Sequence, residues 1–258
     1  MTAESFDINC DLGESFGNWS LGSDEEVMPL VTSANVACGF HAGDPVTMAR
    51  TVALALRHGV AVGAHPGLPD LLGFGRRAMA ISPEDAAAYV RYQAGALQAF
   101  LRAAGGELNH VKPHGAFFVE LRDDAALARP VARAVRDLGD DVMVYWPAPV
   151  EGVPFCEELR GLGVRVVGEI YPDLSYAPDG RLVLERSKAQ TDVAFAAHQT
   201  RLFLEKAVVE AVDGSYLPLS AGSACVHGDG PNAVAVAHAV RGAVTEAGRA
   251  IATVRAAA

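Results

Sequence analysis

Short apolar, β-prone runs alternate with stretches of helical periodicity along almost the whole chain. The runs cover residues 6–11, 33–38, 60–64, 108–112, 142–146, 164–170 and 221–227. They are near-continuous rather than alternating in apolar character, as expected for strands covered on both faces. Between them the pattern predicts helices over residues 45–57, 82–104, 123–138, 154–162, 191–212 and 231–254. Asp44 and Pro45 supply the cap and first position of the first helix, and Gly59 its stop. Ser82-Pro83-Glu84-Asp85 opens the second in the same manner, and Gly105-Gly106 ends it.

Seven strand–helix units, spaced by about 20–40 residues, predict parallel strands joined by crossover helices. A closed barrel and an open doubly wound sheet both fit that order. The polar positions favour the barrel. Five segments place an ionisable residue just after an apolar run: Asn9-Cys10-Asp11, Cys38-Gly39-Phe40-His41, Gly63-Ala64-His65-Pro66, Val111-Lys112-Pro113-His114 and Cys225-Val226-His227-Gly228-Asp229. Only a closed barrel gathers so many strand exits at one mouth, whereas an open sheet concentrates them at one switch point. The expected fold is α/β: an irregular, seven-stranded (β/α) TIM-like barrel, with residues 1–258 as a single domain. Two long exit loops, residues 67–77 and 171–187, are rich in Gly, Pro and Asp and are candidate functional loops.

Composition narrows the function. The net charge of −10 argues against phosphate-backbone binding, since no Lys/Arg cluster is available to release counterions. No apolar stretch approaches the roughly 20 residues of a membrane helix. The polar N-terminus has no basic or apolar leader pattern, so none is expected. Cys10, Cys38, Cys156 and Cys225 form no CxxC pair; they read as small buried hydrophobes, reduced, in a cytoplasmic protein.

The candidate chemistry lies at the exits. Asp11 and Glu14, three residues apart, are a carboxylate pair able to hold a metal or activate water; a helix cap and a surface acid are the alternative. Asn35 and His41 flank Cys38-Gly39, and His41 precedes a helix N-terminus suited to an anion. His65-Pro66-Gly67 follows the third run, and Arg76-Arg77 follow a glycine-bracketed Phe74 as a candidate clamp for carboxylate or phosphate. Lys112-Pro113-His114-Gly115 is the sharpest motif: a lysine at a barrel strand end has either a lowered pKa or a fixed anionic partner. Schiff-base chemistry at Lys112 is the lesser reading, because the neighbouring histidines favour hydrolysis. His227 closes the last run, and Asp229 beside it is a ligand group or a helix cap. His58, His110, His198 and His238 lack Gly/Pro framing and read as structural or surface residues. Asp11, His41 and His65 form a candidate divalent-metal set of the kind that barrel deacetylases use.

These motifs resemble the LamB/YcsF family, the A subunit of the prokaryotic ATP-dependent 5-oxoprolinase (lactam utilisation protein). The resemblance rests on residues 9–14, 34–45, 63–67, 73–77, 112–116 and 225–229 and runs in order from about Phe6 to Val240. It implies a barrel of glycoside hydrolase/deacetylase type and cleavage of 5-oxo-L-proline to L-glutamate. It also implies ATP, with Mg2+, used through a complex with the B and C subunits of 5-oxoprolinase. The expected catalytic set is Asp11, His41, His65, Lys112, His114 and His227; the expected substrate-binding set is Asn35, Arg76, Arg77, Asp173, Arg186 and Asp229. The chain departs from the family pattern at Phe117-Phe118-Val119, at Glu169-Ile170-Tyr171-Pro172-Asp173-Leu174, and at Arg186, one residue late in its segment. Action on another lactam, a metal-dependent amidase or deacetylase-type hydrolase working alone, and a non-catalytic binding module are the alternatives.

Overall fold

A computed structural model describes residues 5–183 and 190–255. Strands β1 (Ser5–Leu12), β2 (Ser33–Ala37), β3 (Ala61–His65), β4 (Leu108–Val111), β5 (Met143–Pro147), β6 (Val166–Ile170) and β7 (Ser223–His227) pair in parallel in chain order. β7 also pairs with β1, which closes the barrel. At the seam Asp11 sits across from His227, and on the other side Asp11 sits across from Asn35 of β2.

Around the barrel run helices α1 (Pro45–His58), α2 (Pro83–Ala103), α3 (Gly115–Asp123), α4 (Ala125–Arg136), α5 (Pro154–Gly161), α6 (Val193–Lys206) and α7 (Ala233–Glu246). Alternation along the strands sorts two populations of side chains. Ile8, Cys10, Leu12, Val36, Val62, Val144, Ile170 and Val226 join the core beneath the helices. Asp7, Asn9, Asn35, His110, Glu169 and Ser223 are fully buried and hydrogen-bonded to one another across the interior. Most barrels of this kind fill the interior with branched aliphatics; here it is a polar network. The end remote from the strand exits is closed by Met143, Tyr145 and Val167 packed against Val254. Thr253 there bonds Ser33 (Oγ1 to Oγ, 2.9 Å), and the short strand Ala250–Ile251 pairs beside the start of β1.

The elements differ from the sequence pattern in three places. Gly115-Ala116-Phe117-Phe118 carries no helix-start signal, yet α3 forms there, and Asp124 separates it from α4 by capping Ala126 N–H. The helix expected to reach residue 212 stops at Lys206, where Ala207 takes a left-handed conformation. A hairpin of Val208–Glu210 and Tyr216–Pro218 follows. The last helix ends at Glu246 instead of near residue 254, with left-handed Gly248 behind it, and the chain turns back into a strand. Arg186 lies outside the described residues.

α1 shows the local code at work. Asp44 accepts from Val46 N–H (2.8 Å) and Thr47 N–H (3.0 Å), and from Gly17 N–H (2.9 Å), while Gly59 ends the helix with φ +66°. Those bonds hold the Asp44 carboxyl down at about 2. Asp44→Ala is therefore expected to cost about 1–2 kcal/mol at neutral pH in denaturant melts. The carboxylate stabilises the fold only where it is ionised. The deficit of the variant should therefore shrink as pH falls from near 4 through about 2.

Candidate active site

The strand exits converge as the alternation requires. Asp11 ends β1's inward row, His65 ends β3, Lys112 and His114 follow β4, and His227 ends β7. Lys112 is 3% exposed. Its Nζ donates to Asp11 Oδ1 at 2.8 Å and to Cys225 Sγ at 2.8 Å, lies 3.7 Å from Glu169 Oε1, and sits 5.3 Å above the Tyr171 ring. Burial alone would push the ammonium down, but the negative groups around it outweigh that and hold its pKa well above the usual value. The reverse holds for Asp11: burial opposes ionisation, and its contacts with His65 and the Lys112 ammonium overcome it. Burial pushes the Cys225 thiol up, so it receives the lysine's hydrogen bond as a neutral group.

Beneath this ion pair the network fixes each partner. His110 Nε2 lies 2.6 Å from Asn35 Oδ1. Asn35 donates to Asp11 Oδ1 and Asn9 Oδ1, both at 2.7 Å, and Asn9 donates to Glu169 Oε2 at 2.9 Å. Burial lowers the His110 pKa to about 3, so the ring is neutral. Its space exists because β3 carries Gly63, where a Cβ would come within 2.1 Å of His110 Nε2.

At the mouth, His227 Nδ1 lies 2.9 Å from Asp173 Oδ2, and His227 N–H donates to the same oxygen at 3.1 Å. A carboxylate only accepts, so Nδ1 carries a hydrogen, and in the neutral ring the lone pair is on Nε2, 3.8 Å from Asp11 Oδ2. Arg76 donates to Asp229 at 2.7 Å and lines the same cleft. Asp229 is not the cap of α7; that position falls to Asn232. Arg77 turns instead to Asp70, with its side chain 54% exposed, and does not line the cleft. Asn35 lies below the cleft and reaches it only through its hydrogen bond to Asp11.

A second cluster sits against the first. His41 and His114 stack at 3.7 Å, His114 Nδ1 is 3.0 Å from His65 Nε2, and Glu14 Oε1 is 3.7 Å from His41 Nε2. Glu14, His41, His65 and His114 are all buried and form a group whose ligand atoms lie within 4.8 Å of one another. The expected metal set thus shares His41 and His65 with this group, while Asp11 falls in a separate one with Cys225 and His227. Burial lowers the pKa of His41 and of His114 well below the usual value and, with Asp229 and Asp11 nearby, raises that of Glu14 well above it. The glycine brackets make the room. A Cβ on Gly67 would reach His41 Nδ1 at 2.4 Å, and one on Gly75, at φ +63°, would strike His41 and His114 at 2.6 and 2.8 Å.

The motifs at these positions are those of one protein family. Residues 6–258 match the LamB/YcsF family model. This chain is a member of the LamB/YcsF family. The A subunit of a 5-oxoprolinase from Bordetella pertussis is 46% identical over 250 residues, covering 96% of this chain and 98% of that one. The corresponding A subunit from Thermococcus onnurineus is 47% identical over 249 residues, covering 94% of each. The crystal structure of a lactam utilization protein from Thermus thermophilus superposes with a TM-score of 0.88 at 44% identity, covering 97% of this chain and all of that one.

Sequence reasoning left out Glu169, Cys225 and Tyr171 as site groups and set His110 aside. A period of two places Cys225 on the same face as His227, and Glu169 and Tyr171 share one face of β6 and its exit. That signal was readable for all three. For His110 the deciding feature is Gly63, on another strand.

Removing the lysine would leave two buried carboxylates without their cation. Lys112→Met is expected to destabilise the protein by about 3–5 kcal/mol in urea melts. Adding Asp11→Asn should restore part of that loss, and full additivity of the two changes would show that the pair is not coupled.

Proposed function

We propose that this chain is the A subunit of an ATP-dependent 5-oxoprolinase and opens the ring of activated 5-oxo-L-proline to give L-glutamate. The observation that carries this reading is a single cleft in which a fixed ammonium, Lys112, and a carboxylate-oriented imidazole, His227, face the same space. Family membership and the names of the relatives support the substrate class.

A lactam amide is planar and unreactive. Phosphorylation of its oxygen by the B and C subunits, at the expense of ATP with Mg2+, makes the ring carbon electrophilic and adds an anion. Water then adds to that carbon while His227 Nε2 takes its proton, with Asp173 holding Nδ1–H in place. Lys112 and Arg76 offset the negative charge of the phosphoryl and carboxylate groups. Cleavage of the ring C–N bond, with protons delivered to nitrogen, leaves an open-chain acyl phosphate. Its hydrolysis by a second water releases phosphate and glutamate. Lys112 serves as a fixed charge and not as a nucleophile, since the negative groups around it hold it as an ammonium with no lone pair. ATP use places the complex in the cytoplasm, and residues 1–258 act in it as one barrel domain.

The Glu14, His41, His65 and His114 group favours a second reading, a metal-dependent hydrolase working without partners. Glutamate release measured with and without ATP and the two partner proteins, across a panel of lactams, separates the readings. Release that needs ATP, both partners and this chain is expected. Asp173→Asn should lower kcat by about 10²–10⁴-fold, the usual contribution of a positioned base. An unchanged kcat in that variant, or release by the partners alone, overturns the proposal.

A further inference from the structure

The hydrogens of the histidine cluster cannot be placed consistently with neutral rings. His65 Nδ1 lies 2.6 Å from the Lys112 carbonyl oxygen, and His114 Nε2 lies 2.8 Å from that of Phe74. A carbonyl only accepts, so each of those nitrogens holds its ring's hydrogen. The nitrogens left over, His65 Nε2 and His114 Nδ1, then face each other at 3.0 Å with lone pairs on both. Two lone pairs at hydrogen-bond distance repel unless a cation joins them. A proton shared by the two rings would meet that need alone, but it leaves two further facts without a cause. His41 is 0% exposed, yet neither of its nitrogens has a hydrogen-bond partner among the described residues, and Glu14 is buried beside it at 6% exposure.

One ion accounts for all three. We propose that Glu14, His41, His65 and His114 hold a divalent transition metal at the inner wall of the cleft. Nitrogen and oxygen ligands about 2.0–2.1 Å from a tetrahedral ion stand roughly 3.3 Å apart. The 3.0 Å between His65 and His114 and the 3.7 Å between His41 and Glu14 bracket that spacing. The two backbone carbonyls act as the outer partners that fix the tautomer and direction of metal-bound histidines. His41 lies flat on His114, the rings 5° from parallel, so binding requires its ring to turn until a nitrogen faces the ion. It has no hydrogen bond to break in doing so. Three imidazoles and one carboxylate select a borderline ion such as Zn2+ or Co2+ over Mg2+ or Ca2+. Asp11 Oδ2 comes within 3.4 Å of His65 Nε2, while the other oxygen, Oδ1, pairs with Lys112. The inference concerns a resident metal and stands apart from the lactam reading, so its test uses no turnover.

The full chain is stripped with a chelator and reloaded with Zn2+ or Co2+. Metal content is read by mass spectrometry, coordination by the visible d–d absorption of Co2+, and stability by thermal melting. About one ion per chain is expected, with a rise in Tm on loading. Glu14→Gln and His114→Ala should each weaken metal affinity about tenfold or more and reduce the Tm rise. Glu14→Gln is near-isosteric, so it carries the test if His114→Ala fails to fold, with circular dichroism as the check. Negligible metal after reloading, retention by Mg2+ alone, or unchanged affinity in Glu14→Gln overturns the proposal.

Discussion

The ammonium of Lys112, held inside the barrel between Asp11, Glu169 and the Cys225 thiol, is the interaction on which the rest of the interior depends. A lone charge in that position would be costly, and a lone pair of carboxylates equally so. Each is tolerable because the other is there, and because amide groups satisfy the remaining lone pairs. Asn35 and Asn9 turn their NH2 groups toward Asp11 and Glu169 and pass acceptors to the next residue down. Ser223 and Ser33 continue the chain to Asp7, whose carboxyl is pushed up by burial. A barrel interior built in this way gives up aliphatic packing for fixed orientation. The result is a barrel mouth whose groups have few alternative positions.

The mouth itself divides into two electrostatic zones. One is paired and saturated: Lys112 with Asp11, and Arg76 with Asp229. The other, made of His41, His65, His114 and Glu14, is rich in lone pairs and poor in donors. The contrast arises from backbone positions. Carbonyl oxygens of Lys112 and Phe74 consume the hydrogens of two rings, and glycines at 67 and 75 let the third ring close in.

Much of this was legible in the sequence, for definite reasons. Strands covered on both faces write themselves as apolar runs, so all seven barrel strands were expected within a few residues of where they lie. Polar residues at their exits could only meet if the sheet closed, and the seam between β1 and β7 bears that out. What stayed hidden depends on contacts between distant strands. Nothing local tells Arg76, which reaches Asp229 in the cleft, from Arg77, which turns to Asp70. Nothing near His110 announces that Gly63 vacates the space for its ring. Helix α3 was missed because its start, Gly115, is a residue that normally ends helices; the turn is forced by its close approach to the Gly75 carbonyl.

The sealed floor carries a consequence for traffic. Val254 packs beneath Met143, Tyr145 and Val167, and Thr253 ties the end of the chain to Ser33. Among the described residues the cleft opens at the strand-exit mouth, roofed in part by Leu182 of the long sixth-exit loop. Whatever arrives and whatever leaves must use that opening in turn. A molecule leaving and a molecule entering by that mouth would compete for the same passage.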